Sequence, residues 1–178
     1  MDYDGVFYRI GEFYGVQYSR GEVLPNEGLK WVPDKVFSEL QRYERERWPG
    51  RRIQGVADPA IWNAETGESY AETAARYGIF FTKGDHERIP GWMQCHYRLQ
   101  FDGDGFPRMY VFSNCKNFIR TIPLLQYDEH KAEDIDTDGE DHIADEWRYF
   151  CMTRPIKPLI VQDKPMPKWG SDPLDQFG

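Results

Sequence analysis

The sequence predicts one α/β domain, a mixed sheet flanked by helices, and two observations carry that prediction. Short apolar runs alternate along the chain with stretches of helical periodicity, as expected when strands are joined by right-handed crossovers. Of the 178 residues, 40% are hydrophobic and 16% aromatic, enough for a real core in a single domain and too many for general disorder.

Taken in order, Asp2-Tyr3-Asp4-Gly5 reads as a hairpin turn and residues 6–14 as an alternating strand. A hairpin needs a strand on each side, so a partner strand is expected to be lost or to lie elsewhere. After a Gly- and Asn-containing loop, Pro33 opens a helix that places Val36, Phe37, Leu40 and Tyr43 on one face and closes at Trp48-Pro49-Gly50. Residues 53–57 form a buried strand ending at Asp58-Pro59. Ser69 and Glu72 make a capping box for a short helix that stops at Gly78. Residues 79–82 are a second short strand. A helix from Pro90 carries Trp92, Cys95, His96 and Leu99; Asp102-Gly103-Asp104-Gly105 turns the chain; residues 109–112 are a third buried strand. Residues 114–122 read as a helix cut by Pro123, and residues 140–152 as the last helix. The opening strand is expected to run antiparallel in the sheet and the later ones parallel. Residues 1–154 thus form the domain, and residues 155–178, with Pro155, Pro158, Pro165, Pro167 and Pro173, an extended tail that drapes on it or reaches for a partner.

Charge is distributed unevenly. The net value is -8, but residues 128–146 hold ten acids and one lysine, so the rest of the chain is close to neutral. A near-neutral body with one acidic cluster can combine a basic groove with a metal site. Cys95, Cys115 and Cys151 lack metal-ligand spacing and read as reduced core thiols. No apolar run approaches the ~20 residues of a membrane span, and Met1 is followed by acids, not by a basic and apolar leader; a cytoplasmic setting, the chain's own or a host cell's, is expected. Neither a phosphate-binding loop nor a dinucleotide fingerprint occurs, so ATP hydrolysis and nicotinamide chemistry have no support.

Two carboxylate positions stand out. Asp58 ends a buried strand and is held by Pro59, at the sheet edge where α/β sites form; its plainer reading is a cap on the turn into Pro59. Asp141 and Asp145 lie one helical turn apart and share a face with Arg148, and such neighbours favour a cation, a basic partner or a shared proton. If these carboxylates converge on Asp58, they supply the oxygen ligands of Mg²⁺ or Mn²⁺, and two such ions would serve phosphodiester cleavage. His142 is a further ligand or an ordinary surface histidine. The spacing Asp134-x-Asp136-x-Asp138-Gly139 to Asp145 also fits a calcium loop, with Asp141 where an aliphatic residue is expected and no convincing helix before it. Lys83, Arg88, Arg98 and Arg120, with Arg51, Arg52 and Lys116, either track a phosphate backbone or are scattered surface bases.

In chain order, Gly55-Val56-Ala57-Asp58-Pro59-Ala60-Ile61-Trp62, Gly91-Trp92, Phe112-Ser113-Asn114-Cys115, Ile119-Arg120-Thr121-Ile122-Pro123, Glu133-Asp134-Ile135-Asp136-Thr137 and the run from Glu140 to Tyr149 together resemble the C-terminal nuclease domain of tailed-bacteriophage terminase large subunits. The resemblance covers residues 5–155. It implies a ribonuclease H-like fold and an endonuclease that cuts concatemeric double-stranded viral DNA with Mg²⁺ or Mn²⁺ in the host cytoplasm. It implies the portal protein and the small terminase subunit as partners. Of the acidic triad of that fold, it places one member at Asp58 and one at Asp141, with Asp145 or His142 auxiliary. Two departures are expected to matter. Family members carry a packaging ATPase before this domain, and their first triad carboxylate sits on the strand before the opening turn. The site is therefore expected to be incomplete, as in an excised piece of a larger subunit or an inactive remnant.

Overall fold

The computed structural model describes residues 5–64 and 67–157. Within them the architecture is mixed α/β, with five α-helices, two short 3₁₀ turns and six strands. Strand β1 (Phe7–Arg9) runs parallel to β6 (Met109–Val111), with Phe7 opposite Met109 and Arg9 opposite Val111. Strand β4 (Gly55–Ala57) runs parallel to β5 (Phe81–Lys83), with Gly55 opposite Phe81. Strands β2 (Val16–Ser19) and β3 (Glu22–Gly28) form an antiparallel hairpin.

Three expectations are corrected here. The opening strand is parallel to its neighbour, not antiparallel, and it spans three residues, because Ile10 onward leaves the ladder. The loop after it is a hairpin: Arg20 (φ 50°) and Gly21 (φ 87°) supply the paired positive φ values that a two-residue turn needs. Among the described residues the strands form three two-stranded sheets and not one mixed sheet. The turn expected at residues 2–5 falls, but for Gly5, outside the described residues, as does the tail from residue 158.

The helices follow the sequence closely. Helix α1 (Pro33–Arg47) starts on its proline, and α2 (Tyr70–Arg76) opens on the expected Ser69–Glu72 capping box. Helix α3 (Arg88–Leu99) begins two residues before Pro90, which its first turn tolerates because the N–H groups there have no partner within the helix. Helix α4 (Lys116–Thr121) passes into a 3₁₀ turn at Ile122–Leu124 that accommodates Pro123. Helix α5 (His142–Met152) buries Ile143, Ala144, Trp147 and Cys151 along one stripe, the pattern of an amphipathic helix against a core. That core holds Phe7, Trp92, Cys95, Cys115 and Phe118, with Phe118 and Trp147 edge-to-face at 5.4 Å. All three cysteines are free and buried. No helix among the described residues is long and apolar enough to cross a membrane.

Two contacts join distant ends of the chain. Buried Arg98 of α3 donates to the Gly5 carbonyl at 2.6 Å and the Arg154 carbonyl at 2.5 Å, clamping the entry to β1 against the exit from α5. Gln94 makes paired hydrogen bonds with the backbone of Ile156, N–H to Oε1 at 2.8 Å and Nε2 to carbonyl at 3.2 Å.

Candidate active site at the end of β4 and the head of α5

Asp58 leaves the C-terminal end of β4 as an exposed residue. Its Oδ1 accepts the Ala60 N–H at 2.6 Å, capping the 3₁₀ turn Pro59–Trp62, so the plainer reading of this residue is present in the structure. Its Oδ2 accepts from the Tyr149 hydroxyl of α5. The Tyr149 bond and the Ala60 N–H together hold the Asp58 carboxyl below its ordinary pKa. Burial, and then the bond to Asp58, push the Tyr149 phenol up. Asp58 therefore meets α5 through Tyr149.

Asp141 occupies the N-cap position of α5 with no side-chain cap bond, and it is 7% exposed. Its ion-pair neighbour is the largely exposed His142, whose Nδ1 lies 3.6 Å away; no lysine or arginine reaches it at ion-pair distance among the described residues. Burial raises the Asp141 pKa, and the charge of Asp145 raises it further. Asp145 is held by Arg148, with Nη2 at 3.0 Å and Nε at 3.1 Å, and by Arg88 at 3.5 Å. Arg148 is buried, its guanidinium 4.4 Å from the Tyr149 ring centre and 5.3 Å from that of Trp92. Gly91 makes room for it: a Cβ there would sit 2.5 Å from Arg148 Cγ.

Elsewhere in the acidic run Glu129, Glu133 and Asp138 are exposed, whereas Asp134 and Glu140 are bound into the fold. Asp134 is 8% exposed; it takes the Arg88 Nε–H at 2.9 Å, the Trp92 indole N–H at 2.8 Å and the Ile135 N–H at 2.9 Å. Burial opposes its charge, but these donors outweigh burial and hold its pKa down. Glu140 pairs with Arg120 at 2.7 Å and accepts from Tyr14 Oη at 2.7 Å. The same contacts fall within the alternative calcium-loop spacing. A guanidinium already fills the first ligand position, Asp134, and among the described residues no helix lies between Leu124 and Asp141.

The four cations expected on DNA separate clearly. Arg98 is 2% exposed with backbone carbonyls on both amino groups, so burial corrects its assignment to a phosphate contact. Arg88 and Arg120 are ion-paired to Asp134 and Glu140. Lys83, at the end of β5, lies over the Trp62 ring at 5.5 Å and makes no ion pair with a carboxylate among the described residues.

The divalent ions implied by the resemblance meet a partial fit. Asp58 and Asp141 are oxygen donors of the right kind, and Asp141 lacks a strong cationic partner. Among the described residues, however, no three His, Cys, Asp or Glu gather closely enough to hold one ion, so these residues alone do not close a metal site. Tyr149 was not picked out as a site residue from sequence, although it lies on the stripe 141, 145, 149 at four-residue spacing that already singled out the two aspartates. Searches of protein-family models, curated proteins and solved structures find nothing that matches this chain.

Proposed function

We propose that the chain is the nuclease portion of a tailed-bacteriophage terminase large subunit: a divalent-metal-dependent endodeoxyribonuclease that cuts concatemeric viral DNA. The reading rests on the ordered motifs of the sequence, and one structural observation supports it above the others. Asp141 is a buried carboxylate crowded by Asp145 and without a lysine or arginine partner among the described residues. Burying charge that way costs stability, and such costs concentrate where a protein has a cation to bind.

The ribonuclease H-like fold belongs to the same proposal. Among the described residues β4 pairs with β5 alone, and a cavity of about 550 Å³ opens beside it, lined by Gly55, Val56, Phe7 and Phe150. Bound Mg²⁺ or Mn²⁺ would supply Lewis-acid chemistry for phosphodiester hydrolysis. The chain's own contribution is to hold Asp58 in a fixed orientation, to keep Asp141 dry, to draw Asp145 onto Arg148, and to offer Lys83 to a phosphate. Double-stranded DNA, the portal protein and the small terminase subunit are the partners in this reading, and the host cytoplasm is its setting.

A second reading is favoured by the lack of a three-ligand group among the described residues: a catalytically silent module that docks DNA or the portal. Nicking of supercoiled plasmid in Mn²⁺ separates the two. The nuclease reading expects nicking that falls to background in Asp58→Ala and in Asp141→Ala. Nicking unchanged in both variants removes the assignments, and salt-sensitive DNA binding without nicking by the parent chain favours the silent module.

A further inference from the structure

We propose that Tyr149 is the positioning residue for Asp58, a role that rests on the functional reading of Asp58 given above. Asp58 is exposed, so a hydrogen bond to it adds little stability that water would not supply. Tyr149, by contrast, is 7% exposed and tightly seated. Gly84 lies against its ring, where a Cβ would meet Tyr149 Cε1 at 3.1 Å and the Ala57 carbonyl at 3.1 Å. The Gly84 N–H also donates to that carbonyl at 2.8 Å, closing the ends of β4 and β5 over the ring. The Arg148 guanidinium stands 4.4 Å from the ring centre.

A phenylalanine would fill the same seat. What the tyrosine adds is one hydroxyl, carried on a rigid ring and aimed at a carboxylate on another element. Asp58 needs only Ala60 to act as a cap. With a second donor on its other oxygen, neither oxygen is free to rotate away, yet each carboxylate oxygen keeps a lone pair for a cation. A fixed carboxylate with open lone pairs is what an outer-shell donor produces around a metal ligand.

The variant that isolates this role is Tyr149→Phe, which keeps the ring between Gly84 and Arg148. Three measurements are made on it and on Asp58→Asn: the thermal midpoint, the three-bond couplings of the Asp58 side chain by NMR, and Mn²⁺ affinity by calorimetry with plasmid DNA present. Positioning predicts that Tyr149→Phe stays folded, that Asp58 changes from one side-chain rotamer to an average of several, and that Mn²⁺ affinity falls about tenfold. A single Asp58 rotamer retained in folded Tyr149→Phe overturns the inference, whatever the metal does. If Tyr149→Phe does not fold, Gly84→Ala, whose Cβ displaces the ring and with it the hydroxyl from Asp58, is read by the same couplings. An averaged rotamer in Tyr149→Phe together with Mn²⁺ affinity untouched by Asp58→Asn leaves Tyr149 as the positioner and removes the functional reading of Asp58.

Discussion

Asp141 and Asp134 are seven residues apart in one acidic run, are buried to nearly the same degree, and yet differ in what their burial costs. Asp134 has a guanidinium, an indole N–H and a backbone N–H on it; Asp141 has a repelling neighbour and an exposed histidine. The sign of the consequence follows from the raised pKa of Asp141. Its unfolded carboxyl ionises at lower pH than its folded one, so the unfolded state gains as pH rises from the unfolded pKa through the folded pKa, and the loss persists at neutral pH. Asp141→Asn is therefore expected to raise the thermal midpoint at pH 7, with the difference from the parent shrinking as pH falls through the carboxylate range. A lower midpoint at pH 7 would mean that Asp141 makes a stabilising contact instead. A residue whose removal stabilises the fold while ending activity is the usual mark of a functional group.

At the scale of elements, the α3–α5 contact carries the site, because Arg148 projects from α5 into the space left by Gly91 on α3. Gly91→Ala sets two effects against each other. Alanine favours a helix by up to about 1 kcal/mol, whereas forcing a Cβ to 2.5 Å from Arg148 Cγ costs about 1–3 kcal/mol, so a net loss is expected in urea denaturation. A variant as stable as the parent would show that Arg148 is free to move. The helices were legible in the sequence because their signals are local: Pro33, the Ser69–Glu72 box and the apolar stripe of α5 each sit within a few residues of what they specify. The strands were less so. Three-residue strands carry almost no periodicity, and which strand pairs with which depends on residues far apart, as Phe7 and Met109 do. The β2–β3 hairpin escaped because Arg20 is an unusual residue for a position with positive φ.

For the molecule as a whole, the acidic run links elements as well as charging a surface. Asp134 ties the loop to α3, Glu140 ties it to α4 and to Tyr14, and Asp145 ties α5 to Arg88. What remains for a ligand is Asp58, held by Tyr149 of α5, at the end of β4, Asp141 at the head of α5, and Lys83, paired in register with Ala57 at the end of β5. Sequence spacing could place Asp58 and Asp141 at ends of elements, but it could not show that Asp134 and Glu140 are already ion-paired, since their partners Arg88 and Arg120 come from other helices. The most direct test is a crystal of the chain soaked in Mn²⁺ and phased on the anomalous signal of the metal. A Mn²⁺ peak is expected against Asp58 or Asp141 with the Asp134–Arg88 pair intact; a peak within the loop at Asp134, Asp136 and Asp138, with Arg88 displaced, would overturn the assignment of Asp58 and Asp141.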